Sequence, residues 1–113
     1  MYAVIRNYNL LPGMVEGFIQ QVQKGLVPII SRVPGFKAYY LVEVGDNEVV
    51  VISMFETLAD AKASAHETMT WITEHTDLYF QGFSKPMAGL VRVQSDAALL
   101  SSTNREELLQ GSF

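Results

Sequence analysis

The sequence predicts an α+β domain with the element order β-α-β-β-α-β, and three observations predict it. Phe36 to Glu56, FKAYYLVEVGDNEVVVISMFE, is two β-branched and aromatic runs joined by Gly45-Asp46-Asn47. Gly and Asn tolerate the positive φ of a tight reversal, so this stretch is a hairpin. Apolar residues at helical spacing precede the hairpin and follow it, and a strand-like run stands at each end of the set. Two helical crossovers around a central hairpin place four strands in one antiparallel sheet with both helices on the same face.

The first strand is Tyr2 to Tyr8, YAVIRNY. It puts Ala3, Ile5 and Asn7 on one face and Tyr2, Val4, Arg6 and Tyr8 on the other, so an Asn and an Arg point opposite ways. From Pro12 the period becomes helical: Val15, Phe18 or Ile19, Val22, Leu26 and Ile29 recur every three or four residues, with polar residues between them. Pro12 suits a first turn, Gly25 and Pro28 predict a kink near Gly25 with a last turn from Ile29 to Arg32, and Pro34-Gly35 ends the helix. In the hairpin, Val49 to Ile52 is apolar at every position, which requires cover on both faces of that strand. Thr57-Leu58-Ala59-Asp60 starts the second helix, the Thr57 hydroxyl accepting from an orphan backbone N–H. Its predicted buried stripe is Leu58, Ala61, Ala65, Thr68, Met69 and Ile72, with His75 at the edge, Trp71 on the flank and His66 facing solvent. Thr76 to Pro86 is an aromatic-rich loop, and Met87 to Gln94 is the fourth strand.

Residues 1–94 are thus one domain and residues 95–113 a polar tail, with a short helix expected at 105–110 capped by Ser102 or Thr103. Hydrophobic residues make up 49% of the chain and charged residues only 18%, an apolar balance for a domain of 113 residues that points to a buried subunit interface. A net charge of −4 and a pI near 5.0 exclude a basic face for nucleic acid or an anionic membrane. Cysteine is absent, so there is neither a disulfide framework nor thiolate chemistry. No apolar run approaches the roughly 20 residues of a transmembrane helix. Met1-Tyr2 leads straight into strand-like sequence without a secretory leader, and the expected location is the cytoplasm.

The predicted topology is the ferredoxin-like one, and it leaves the second face of the sheet bare. Four strands of about seven residues, about 4.8 Å apart and rising about 3.3 Å per residue, present roughly 450 Å². Val4, Tyr40, Val42, Val50, Ile52 and Val91 are candidates for that face, depending on register. A monomer rarely leaves so large an apolar patch in water, so a second copy of the chain, packed sheet to sheet, is the expected partner.

RVPGFKAYYLVE, followed by VVVISMFETLADAKASAHETMTWI, resembles the dimeric α/β-barrel superfamily of antibiotic biosynthesis monooxygenases. Its members carry a helix, a PGF-like turn, a hairpin whose second strand ends in Phe or Trp, and a Ser/Thr-capped helix with an early Ala. The resemblance covers about residues 2 to 94. It implies the fold and the homodimer, and it leaves the activity open. The superfamily includes cofactor-free oxygenases acting on aromatic polyketides, haem-degrading monooxygenases, and many members with no known activity.

Asn7 and His75 are the candidate catalytic residues, as hydrogen-bond donor and base, and Trp71, Tyr79, Phe80 and Phe83 are the candidate substrate-binding residues, lining an aromatic pocket beside the second helix. Each has a plainer reading: aromatics filling core, a structural Asn with satisfied hydrogen bonds, and a helix-terminal imidazole favoured by the dipole. Haem degradation in the resembled superfamily uses an Asn on the first strand with a Trp and a His on the second helix. Asn7 and His75 match by place, but the Trp position falls near Ala65 and Trp71 stands only four residues before His75, so the set is incomplete. Two histidines on different helix faces make no metal site, and neither metal nor cofactor is expected. Two functions remain compatible with these residues: a cofactor-independent monooxygenase acting on a small aromatic or polycyclic substrate, and a non-enzymatic dimer that binds a small apolar ligand or is structural. Haem binding ranks third.

Overall fold

The computed structural model describes residues 1–76, 79–83, 85–95 and 97, with Phe83 described by its backbone alone. In chain order the elements are β1 (Tyr2–Leu10), α1 (Val15–Gln21), a π-helical segment (Val22–Leu26), α2 (Val27–Ile30), β2 (Phe36–Gly45), β3 (Glu48–Phe55), α3 (Leu58–His75), β4 (Phe80–Phe83) and β5 (Met87–Leu90). The fold is the predicted α+β arrangement, an antiparallel sheet with its helices on one face. The short helix expected at 105–110 lies outside the described residues.

The sheet runs β2-β3-β1-β4, with β5 also pairing with β1. Asp46 and Asn47 turn the hairpin, and Asn47 takes the positive φ of 60° that its side chain tolerates. The fourth strand begins earlier than expected and is broken. β4 lies on the Tyr8 to Leu10 end of β1, inside the stretch read as a loop, and β5 lies on the Tyr2 to Ile5 end. From Phe83 to Met87 is four residues, but their partners Tyr8 and Ile5 are three apart, so one extra residue interrupts the ladder. Pro86, which lacks an N–H, stands at this break.

The first helical region starts at Val15 rather than Pro12, because Leu11 to Met14 forms a turn in which Gly13 adopts φ +82°. The expected kink is instead an absorbed π-helical segment. A Cβ on Gly25 would lie 2.7 Å from Trp71 Cζ2, so only glycine lets this turn approach α3 so closely. Pro28 then sits in the first turn of α2, where a missing N–H costs least. Thr57 caps α3 as predicted, its Oγ1 accepting from the Asp60 N–H at 3.1 Å.

Register settles which face is which. Val4, Arg6, Tyr8 and Leu10 of β1 and Val49, Val51, Ser53 and Phe55 of β3 turn toward the helices and are buried there with Phe18, Leu26, Ile30, Ala61 and Ile72. Val4 therefore belongs to the core and not to the bare face. The open face carries Ile5 opposite Ile52, Asn7 opposite Val50, Tyr40 opposite Ile52 and Val42 opposite Val50. Tyr40 is 56% exposed there, and Met87, which pairs with Ile5, is 64% exposed.

Candidate functional site

Between the first helical region and the sheet edge lies a cleft of about 480 Å³ lined by Ile19, Val22, Gln23, Val27, Tyr39, Leu41 and Glu43. Alternation along β2 turns Tyr39, Leu41 and Glu43 toward the helices, while helical periodicity presents Ile19, Val22 and Val27 back at them. Gln23 and Glu43 are exposed and form the rim. A concave apolar wall with a few polar groups is the usual form of a small-molecule site.

The helix-facing side of the sheet holds an unusual charge. Arg6 is only 5% exposed on the helix-facing side of β1. Its Nη1 points at Met69 Sδ, 3.4 Å away, a weak acceptor, and its Nη2 has no partner. Among the described residues the ion pair is Lys37 with Glu56, on the surface, and none of the described carboxylates pairs with Arg6. Tyr8 places its hydroxyl within hydrogen-bonding reach of the guanidinium. Burial raises the Tyr8 pKa, and the neighbouring Arg6 opposes that shift. Burial pushes the Tyr39 phenol far above its ordinary value, Tyr8 adds to the rise and Arg6 counters it. Both phenols therefore stay protonated near neutrality as O–H donors, next to a permanent cation in a region of low dielectric.

The sequence-predicted site residues do not converge. Asn7 lies on the open face, not the helix-facing one, and its Nδ2 donates to Glu48 Oε1 at 3.1 Å. His75 is exposed at the end of α3. Its ring stacks on Trp71 with centroids 5.1 Å apart, and Nδ1 donates to the Trp71 carbonyl at 3.0 Å. The sheet separates the two, so they share no substrate within one chain. Trp71 is 5% exposed and packs against Gly25. Tyr79 and Phe80 pack instead with Phe18, at 6.5 Å and 5.3 Å between centroids, and Phe80 also meets Tyr8. They fill core rather than line the cleft, and the Phe83 side chain lies outside the described residues.

Haem does not fit these residues. A single porphyrin could not meet Asn7 on the open face and His75 at the end of α3, which the sheet separates within one chain. Among the described residues no group of three His, Asp or Glu side chains could hold a metal ion, and no helix is long and apolar enough to cross a membrane.

The buried Arg6 and the cleft-lining Tyr39 were missed because their strands read the same whichever face the helices cover. The available signal was parity: Arg6 shares a face with Val4, Tyr8 and Leu10, so it is carried into whichever layer those residues make.

Solved structures share this architecture at low identity. An uncharacterised NIPSNAP-like domain protein from Burkholderia xenovorans superposes with a TM-score of 0.62 at 19% identity, over 84% of this chain and 88% of that one. A protein from Agrobacterium tumefaciens gives 0.58 at 22% identity, over 81% and 95%. A suggested antibiotic biosynthesis monooxygenase from Nitrosomonas europaea gives 0.66 at 18% identity, over 82% and 100%. No curated protein matches the sequence. The family model for antibiotic biosynthesis monooxygenases matches residues 1–69, the span that builds β1, the helical crossover, the hairpin and most of α3. With more than half of its length in that match and the fold to go with it, the chain belongs to the antibiotic biosynthesis monooxygenase family.

Proposed function

We propose that the chain is a cofactor-independent monooxygenase that binds a small aromatic or polycyclic substrate in the cleft between the first helical region and β2. The observation that carries this reading is the cleft itself, with apolar walls from Ile19, Val22, Val27 and Leu41 and a half-buried phenol, Tyr39, among its lining residues. An aromatic substrate with an acidic C–H needs no external reductant. Loss of the proton gives a delocalised carbanion, which passes electrons to O₂ and forms a C–O–O bond. Protonation and loss of water then leave a carbonyl, with one oxygen atom in the product and the other in water. The protein's share is to orient the ring, exclude water and stabilise the anion. Among the described residues lining the cleft, Glu43 is the carboxylate able to take the proton.

Oxygen uptake with anthrone and with a naphthohydroquinone tests the reading. Consumption above the buffer rate is expected, falling at least tenfold when Leu41→Trp fills the cleft. The same assay on Asn7→Ala and His75→Ala tests the assignment drawn from the sequence; with these side chains away from the cleft, turnover should stay within about twofold. Uptake no faster than buffer overturns the enzymatic reading, and saturable binding without uptake leaves the cleft as a ligand site alone.

We also propose that a second copy of the chain covers the open face. Ile5, Tyr40, Val42, Val50, Ile52 and Met87 make it apolar and partly exposed. Two such faces bury on the order of 900 Å², which flanking contacts extend into the range of stable interfaces.

A further inference from the structure

Arg6, buried on the helix-facing side of β1, donates from Nη1 to the sulfur of Met69 on α3 at 3.4 Å. A thioether is a weak acceptor for so strong a donor. The second guanidinium nitrogen, Nη2, is buried with no hydrogen-bond partner among the described residues. This contact therefore offers more donor capacity than one sulfur can satisfy. Met69 is half-buried, so a small solute can reach its side chain. Among the described residues it is the methionine whose sulfur accepts a hydrogen bond; Met14 and Met87 are exposed and carry no such contact.

We propose that Met69 is a peroxide-oxidation site whose sulfoxide is held by Arg6. The sulfur attacks one oxygen of a peroxide, and an S–O bond forms as the O–O bond breaks. Sulfur gives up two electrons, the peroxide is reduced, and the proton of the transferred oxygen passes to the leaving one, which departs as water or an alcohol. Oxidation of methionine ordinarily weakens a fold, because it sets a polar oxygen among apolar side chains. Here the new oxygen meets the N–H groups of a permanent cation, and a weak N–H···S contact becomes a charge-assisted N–H···O one. Burial strengthens that bond further. Donation into one lone pair of the sulfur leaves the other for the oxidant, and rotation of the flexible side chain then turns the oxygen toward the guanidinium. The oxidised chain is the better-paired one at this contact. None of this depends on what the cleft binds.

Hydrogen peroxide applied to the folded chain, followed by peptide mapping for one added oxygen at Met69 and by thermal melting, tests the proposal. The melts use a Met14→Leu/Met54→Leu/Met87→Leu background, which leaves Met69 and the N-terminal Met1 as the methionines. Oxidation should hold the melting temperature or raise it by a few degrees, and with Arg6→Leu added it should lower it by a few degrees. Two further substitutions carry the test should Arg6→Leu not fold. Helix propensity and apolar burial both favour leucine over glutamine at a half-buried helical position, whereas a glutamine carbonyl stands in for the sulfoxide oxygen. Met69→Gln should therefore melt above Met69→Leu. The reverse order, or an oxidation that lowers the melting temperature as much with Arg6 in place as with Arg6→Leu, overturns the hold by Arg6. Wild type that gains oxygen at Met14 and Met87 and none at Met69 overturns the site itself.

Discussion

At the scale of single residues, the helix-facing side of the sheet concentrates ionisable groups where water is scarce. Tyr39 shows the consequence for stability. Its pKa is raised above the ordinary 10.0 by burial first and Tyr8 second, so the folded state holds a proton that the unfolded chain gives up. The associated stability is fully present below pH 10 and drains as pH rises from the unfolded value toward the folded one. Each such group costs at most about 1.4 kcal/mol per pH unit across that window. Urea midpoints between pH 9 and pH 11 should therefore fall more steeply for wild type than for Tyr39→Phe. Equal slopes would mean that Tyr39 ionises in the folded state as freely as in solution.

Among the elements, the contact between the π-helical segment and α3 sets the spacing of the helical layer. Gly25 faces the Trp71 ring, and an added Cβ would stand 2.7 Å from Cζ2 and 2.9 Å from Nε1. Alanine gains about 1 kcal/mol of helix propensity over glycine, while forcing a methyl into a packed site costs about 1–3 kcal/mol. Trp71 is buried and stacked on His75, with little room to retreat, so the clash wins. Gly25→Ala should lower stability by about 1–2 kcal/mol with an unchanged urea dependence, together with a shift in tryptophan emission, since Trp71 is the one tryptophan of the chain. At the start of α3, Thr57→Ala removes the acceptor for the Asp60 N–H and should cost about 1 kcal/mol in the same assay.

For the whole molecule, the open face is the decisive feature. The proposed homodimer has a mass of about 25 kDa, twice the 12.6 kDa chain, and sedimentation should find it at micromolar concentration. Ile52 sits mid-face, opposite both Ile5 and Tyr40. Ile52→Lys places a charge without a counter-ion at the centre of the interface, at a cost of several kcal/mol, and should yield a monomer or an aggregate. A soluble wild-type monomer would leave Tyr40, Val42 and Met87 to some other cover.

The element order, the hairpin, the Thr57 cap and the family are legible along the chain, because they follow from local periodicity, turn chemistry and a motif. The sequence did not determine which parity of β1 faces the helices. Asn7 and Arg6 are neighbours with opposite fates, and only pairing of β1 with β3, with α3 packed above, sends Arg6 under Met69 and Asn7 to the open face beside Glu48. The same holds for the aromatics. Tyr79 and Phe80 admit a pocket reading beside the plainer core one until β4 pairs with β1 and sets them against Phe18. A cleft made by Ile19 and Val22 of the first helical region and Tyr39 and Leu41 of β2 has no signature in either stretch, because its shape depends on how far apart the packed layers settle.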